Sequence, residues 1–338
     1  MRKTQMALAA VALVASTAAM AADVTVSGRF DYGYANAGSG GTKDVTGVQG
    51  GLLAPNFVNV TGSEDLGGGM KASFNWVNLV TNAGALVNAN ANVGISTGAA
   101  GVKLGRVTDD FLTGVLAFDV TGGGNMGSSV SPILQYGATG AFHSNAVQVD
   151  GSAAGVNFGA TFIGQDSTQT FATKNERDNE GQAFSGARGD YSLKANTDIG
   201  GIRLGAAYAR RSTAAATVST LTAKTHQFIG AGTSFGDLTV NAQYMKLDTT
   251  TVTGGNGSYP LAEAVTATAG YYSYSDSTTA SNAGSLMSVG LKYAFSKRTT
   301  GFANYEKVTG NAVAMQGAVG YDGGKTVGIT ILGLAHSF

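Results

Sequence analysis

His143-Ser144-Asn145 gathers three residue types of a hydrolytic, phospholipase-like site into one tripeptide. A serine nucleophile needs a base within hydrogen-bond reach, and the base needs an orienting partner. Consecutive residues on a strand point to opposite faces, so this tripeptide cannot be that triad by itself. Gly324-Lys325-Thr326 has the form of the end of a phosphate loop, but the glycine required five positions earlier is replaced by Val319. The histidines are scattered without metal spacing and the chain has no cysteine, so no metal site and no cofactor is expected. Glu176-Arg177-Asp178-Asn179-Glu180 is a charge run that reads as a solvated outer loop, with calcium or lipopolysaccharide contact as the other reading. No convergent acid–base set is visible, so the expectation is that the chain is not an enzyme.

The elements available to position any site are strands. Met287, Val289, Leu291, Tyr293 and Phe295 alternate with Ser288, Gly290, Lys292 and Ala294, and Ser296 to Thr299 then turns the chain. Such alternation gives one apolar and one polar face. In a soluble sandwich the apolar face is the core; in a membrane barrel it meets lipid. The pattern recurs at Val24, Val26, Phe30 and Tyr32, at Met70 to Trp76, at Val156 to Phe162 and at Leu238 to Tyr244. Short turns are expected at 65–69, 98–101, 151–155, 198–201, 235–237, 263–264 and 296–299, where Gly and Asp supply the backbone angles that turns need. Longer polar loops are expected near 36–54, 82–88, 109–141, 166–189, 212–223, 248–256, 277–284 and 309–325. Seven turns and eight loops connect sixteen strands. The strand before Glu263 contains Pro260, which fits a central strand poorly. The reading is all-β: a 16-stranded antiparallel transmembrane β-barrel in one domain, 22–338.

The N-terminus favours export. Arg2 and Lys3 precede an apolar stretch from Met6 to Val14, and Ala19-Met20-Ala21 is a small-x-small site, so residues 1–21 read as a signal peptide. The apolar run is short of the roughly 20 residues of a spanning helix. Removing Arg2 and Lys3 from a chain with 21 basic and 21 acidic residues leaves a net charge of −2, which gives nucleic acid no electrostatic footprint. Charged residues make up 12%, about half the usual share for soluble domains, as suits a chain whose outer face meets lipid. Without disulfides, closure of the sheet in lipid is the available source of stability.

Gly62-Ser63-Glu64-Asp65-Leu66-Gly67-Gly68-Gly69-Met70-Lys71-Ala72 resembles the strand–turn–strand signature of Gram-negative trimeric porins of betaproteobacterial type. Val102 to Arg106, Gly122 to Ser129, Tyr293 to Thr299 and the terminal His336-Ser337-Phe338 are similar to that family's pore-loop approach, loop tip, penultimate turn and terminal aromatic, in the same order. The resemblance implies a homotrimer in outer-membrane lipid and lipopolysaccharide, passive diffusion of small hydrophilic solutes and ions, and a third loop, about 109–141, folded into the barrel. It also implies a constriction where wall cations face loop acids. Candidates here are Arg29, Lys71 and Arg106 against Asp31, Asp109, Asp110 and Asp119, a sum near zero or slightly negative. Alternation would put Arg106 outward beside Leu104, so a bulge or the loop bend must re-aim it. Phe338 is implied as the assembly signal.

Several positions depart from the family pattern. Phe57 and Ala89 stand where relatives carry arginine, Phe142 and Gln148 fall on positions that are often basic, and no Lys or Arg occurs from Val107 to Thr173. The second loop, Asn82 to Val87, is short, which puts an intersubunit latch in doubt. Phe57 and Phe142 are candidates to line the pore, with lipid-facing or loop-buried positions as the other readings. The expectation is a general diffusion porin. The alternatives are an outer-membrane channel selective for a weakly charged or aromatic nutrient, a secreted β-rich adhesin or solenoid, and an outer-membrane enzyme.

Overall fold

The computed structural model describes residues 23–37, 45–121, 128, 141–164, 190–211, 225–276, 283–310 and 326–338. The expected signal peptide, the charge run 176–180, the tip Gly122 to Gly124 and Gly324-Lys325 lie outside the described residues.

The strands are β1 (Asp23–Ala37), β2 (Val45–Gly50), β3 (Phe57–Gly67), β4 (Met70–Val80), β5 (Leu86–Ser96) and β6 (Ala100–Thr108), followed by helix α1 (Asp110–Leu116). After it come β7 (Phe142–Ala153), β8 (Val156–Ile163), β9 (Asp190–Ile199), β10 (Ile202–Arg210), β11 (Thr225–Phe235) and β12 (Leu238–Leu247). The last are β13 (Thr250–Ala262), β14 (Val265–Asp276), β15 (Gly284–Ala294), β16 (Thr299–Gly310) and β17 (Val327–Ser337). Consecutive strands pair antiparallel, except that β2 and β3 each pair with β1 instead of with each other, and β1 pairs with β17, so the sheet closes among the described residues.

Seventeen strands make sixteen staves, because β2 and β3 share one position beside β1. Arg29 lies opposite Phe57 and Tyr32 opposite Gly50, so three steps along β1 correspond to seven along the facing chain. The surplus, 51–56, leaves the ladder as an insert. Its backbone is gathered by Asp31, whose carboxylate accepts from the N–H groups of Leu52 (2.6 Å), Leu53 (3.3 Å) and Ala54 (3.0 Å). The Asp31 N–H in turn donates to Asn56 Oδ1 (2.6 Å). The expected loop at 36–54 therefore contains a strand and this insert.

All seven short turns form at the expected places, with Gly67, Gly68, Gly69, Gly155, Gly200, Gly201 and Gly236 at positive φ, while the turns at 263–264 and 296–299 hold neither glycine nor aspartate. The expected loop at 248–256 is a correction. β12 and β13 are joined by Asp248-Thr249 alone, and 250–256 is strand. This stretch carries Thr, Gly and Asn rather than alternating apolar residues, so its period was hidden. Pro260 is accommodated because the β12–β13 ladder ends at Ser258 and a register shift follows on the β14 side.

The outward face is apolar as expected: Val24, Val26, Leu104, Ile229, Val289, Leu291 and Leu332 are exposed. Tyr293 and Phe295 pack edge-on at the short-turn end (centroids 4.8 Å apart), while Tyr32, Tyr34 and Tyr244 stand toward the loop end. The inward face is less uniform than a water-filled tube predicts. On β11 to β17 it carries Phe228, Met245, Leu247, Tyr272, Leu286, Ile329 and Ile331, all buried with Leu52 and the α1 residues Phe111, Leu112 and Val115 in one cluster. Inward-folded chain covers this half of the wall.

Candidate pore constriction

The chain after β6 turns into the barrel, and Asp109 fixes the turn. As N-cap of α1 its Oδ1 accepts from Phe111 N (2.8 Å) and Leu112 N (3.4 Å). Its Oδ2 accepts from Ser192 Oγ at 2.9 Å and from Arg211 Nη2, and lies 2.9 Å from His143 Nε2. Burial opposes ionisation of this carboxyl, but His143 and the Arg211 charge outweigh it and hold it down at about 2. Asp110 is anchored beside it, with Thr161 Oγ1 (2.7 Å) and Gln148 Nε2 (3.2 Å) on Oδ2 and Lys194 Nζ 2.9 Å from Oδ1.

Beyond α1 the loop is held by its backbone. Phe118 O accepts from Gln243 Nε2 (2.6 Å) and Asn256 Nδ2 (2.8 Å), and Asn256 also bonds Tyr272 Oη (2.7 Å) and Val120 N (3.3 Å). The Phe118 ring lies across Gly205 and Gly230: a Cβ at either would come within 2.4 or 2.8 Å of it. Asp119 ends this run with Oδ1 on Thr121 N (2.8 Å) and Oδ2 on Ser128 Oγ (2.5 Å). The loop thus follows the wall from β8 to β13 and reaches Thr121, which shares a cleft with Leu52 and Leu53 of the insert. Two inward elements, not one, narrow the barrel.

The expected site residues divide. Arg29 and Asp31 lie together (Nη2 to Oδ2 3.4 Å), on the inner face of β1 beside the insert. Asp109, Asp110 and Asp119 are on the inward loop. Lys71 does not join them: it is the second residue of β4, exposed next to the first turn. Arg106 sits at the anticipated irregularity, where the β6–β7 register shifts between Gly105 and Val107 and Asn145 has φ 53°. Its guanidinium is bonded to Asn88 O (3.0 Å) and Ser144 Oγ (2.9 Å). Ser144 therefore partners Arg106 while His143 partners Asp109. Phe57 pairs with Arg29 on the strand face shared with Asn59 and Thr61, whereas Phe142 packs against the buried cluster. Gln148 anchors Asp110, and Ala89 is buried. Phe338 closes the β1–β17 seam.

The cations missed in the sequence come from distant strands. Lys194 on β9, Arg203 on β10, Arg211 after β10 and Lys292 on β15 all face the inward loop; Arg203 Nη1 bonds Ala117 O (3.2 Å) and Lys292 lies within electrostatic reach of Asp119 and Arg29. The signal was present for Lys292, since alternation with Leu291 and Tyr293 puts it on the inner face. Among the described residues no group of three His, Cys, Asp or Glu is placed to hold a metal ion, and no helix is long and apolar enough to cross a membrane.

Comparison with known proteins gives a consistent result. The profile of the family described as Gram-negative porin matches residues 7–312. No curated protein matches the chain. Among solved structures, the anion-selective porin from Comamonas acidovorans is 20% identical with a TM-score of 0.75, covering 94% of this chain and 100% of that one. OmpT of Vibrio cholerae in its trimer form is 14% identical, TM-score 0.64, with 94% and 100% covered. A mutant of Rh. blastica porin is 15% identical, TM-score 0.65, again with 94% and 100% covered. At these identities the likeness speaks for the fold: a closed β-barrel of sixteen staves.

Proposed function

The chain belongs to the Gram-negative porin family, and from that premise we propose how its channel filters what passes. It is an outer-membrane porin, and small hydrophilic solutes cross its barrel by passive diffusion. The filter we infer is a constriction of nearly balanced charge, with weak selectivity between cations and anions. One observation carries this reading: the acids at the inward loop and insert each face a cation. Asp109 faces Arg211, Asp110 faces Lys194, Asp31 faces Arg29, and Asp119 has Lys292 within reach. Arg203 adds one positive charge. Groups this close sum their fields over a Debye length of about 8 Å, so a permeating ion meets the total rather than any pair.

Catalysis has no part in this proposal: the His143 side chain lies against Asp109 and the Ser144 hydroxyl accepts from Arg106. Export by residues 1–21 as a signal peptide and assembly as a homotrimer belong to the same proposal; the trimer form of the Vibrio cholerae protein supports the second. The test is a planar-bilayer recording of the refolded protein in a potassium chloride gradient. Stepwise conductance with a reversal potential near zero is expected. A permeability ratio far from unity in either direction would refute the balanced constriction and leave the channel intact.

A further inference from the structure

We propose that the insert at 51–56 and Lys292 form a shallow seat for small carboxylates with a short hydrocarbon tail, so that such solutes dwell in the pore longer than equally charged, wholly hydrophilic ones. This rests on the diffusion channel and names a solute class for its constriction.

Two kinds of group meet there. The apolar part comes from Leu52 and Leu53. Leu52 is buried and Leu53 half-buried, and the insert that carries them is fixed by three N–H bonds to Asp31 rather than left as a loose loop. They share a partly open cleft with Phe302 and Ile331 of the inner wall. The polar part is Lys292, which lines the same cleft, is half-buried, and makes no hydrogen bond or ion pair among the described residues. The acid within electrostatic reach of it has its oxygens engaged elsewhere: Asp119 accepts from Thr121 and Ser128. Asp31 likewise gives its oxygens to the insert and to Arg29. A cation whose neighbouring acids already have donors is placed to receive a carboxylate from solution.

The seat is shallow, which suits transport. A site in a channel must hold its solute weakly enough to release it. A carboxylate on Lys292 would lay its first carbons over Leu53 and the cleft mouth. Each methylene fully removed from water contributes about 0.8 kcal/mol, so two half-covered methylenes correspond to roughly fourfold in affinity.

The test is solute block of the potassium chloride current through the full-length refolded protein in a planar bilayer. Butanoate is compared with acetate, and with butanamide as the uncharged control. Half-maximal block is expected at about a fourfold lower concentration for butanoate than for acetate, with none from butanamide. Lys292→Gln should abolish block by both anions, and Lys292→Arg should restore it. Leu53→Ser should bring the two anions to the same concentration without removing block. Equal block by butanoate and acetate in the native pore overturns the seat, as does an unchanged ratio in Leu53→Ser. Absence of conductance steps from the native protein would instead bring down the channel reading, and the seat with it.

Discussion

The ring of Phe338 occupies the space a side chain at Gly28 would need: a Cβ there would meet Phe338 Cζ at 2.4 Å. The two backbones exchange a pair of N–H to O bonds, each 3.1 Å, and Phe338 stacks on Phe30 with 14° between ring planes. The last residue of the chain is the last rung of the seam that closes the barrel. Closure removes the only edges the sheet would have, and in lipid an open edge leaves N–H and C=O groups without partners.

Deletion of Phe338 should therefore lower the yield of folded barrel while leaving surviving pores with native conductance. Two backbone bonds at about 1 kcal/mol each set a loss of roughly 2 kcal/mol at the seam. The heat-modifiable band on gels measures it. Normal yield in the deletion would show that the seam closes without its terminal rung.

Asp31→Ala should release the insert. Three backbone N–H groups would lose a charged acceptor in a buried setting, a cost of about 3 kcal/mol or more. The barrel should persist, since its ladder does not run through 51–56. Single-channel recordings should show larger and noisier steps than the native pore. Unchanged step size would mean that the insert does not narrow the channel.

The staves and turns were legible because strands repeat every two residues and glycine marks their ends. Legibility failed where inner and outer faces did not differ in the usual way. Residues 250–256 hold Thr, Gly and Asn with few apolar residues, yet Asn256 is the amide that binds Phe118 O, Val120 N and Tyr272. Leu52-Leu53-Ala54 has no period, and its inward fold depends on Asp31, more than twenty residues away in sequence. Asp109 and Asp110 were recognisable as loop acids. Their partners Ser192, Lys194 and Arg211 were not, because they lie on β9 and just beyond β10, and no local spacing links them.

Asp109 predicts a pH dependence with a definite sign. Its folded pKa, about 2, lies below the ordinary 3.8. A depressed carboxyl contributes stability that is complete above the unfolded value and is lost as pH falls through the folded one. The contribution is about 2 kcal/mol at neutral pH, disappearing between about pH 4 and pH 2. Current noise in the native pore should rise across that window as the loop anchor weakens. Asp109→Asn should be noisy already at pH 7, since it leaves the mostly covered Arg211 without its charge partner, at a cost of about 3 kcal/mol. A quiet Asp109→Asn pore at neutral pH would remove Asp109 as the anchor.

The connection between β4 and β5 predicts a less robust trimer. Residues 81–85 form a tight turn closed by Thr81 N to Ala85 O (2.9 Å), and Asn82 Oδ1 accepts from Gly50 N of the same barrel (2.5 Å). A turn tied to its own subunit has no reach toward a neighbour. Association would then depend on packing of the apolar outer face. Trimer bands on unheated gels should dissociate at a lower temperature than those of porins with a long second loop. Survival near boiling would show that the outer face alone suffices.

Charge selectivity gives the most discriminating prediction, because the pairs at the inward loop make opposite variants move in opposite directions. Asp119→Asn removes the acid within reach of Lys292 and leaves a net positive eyelet. Arg203→Gln removes a cation that, among the described residues, gives its hydrogen bond to a carbonyl, Ala117 O, and no acid, and shifts the sum the other way. One charge about 5 Å from the ion path in a high-dielectric pore is worth roughly 1 kcal/mol, a severalfold change in permeability ratio. The native pore should therefore lie within about threefold of equal permeability for potassium and chloride, Asp119→Asn severalfold toward anions, and Arg203→Gln severalfold toward cations. Reversal potentials in a tenfold salt gradient read all three, and raising the ionic strength should shrink both shifts together. Asp109→Asn is less clean, since it also disturbs the loop anchor. A shift in the same direction for Asp119→Asn and Arg203→Gln would mean that loop position, not summed charge, sets the permeability ratio.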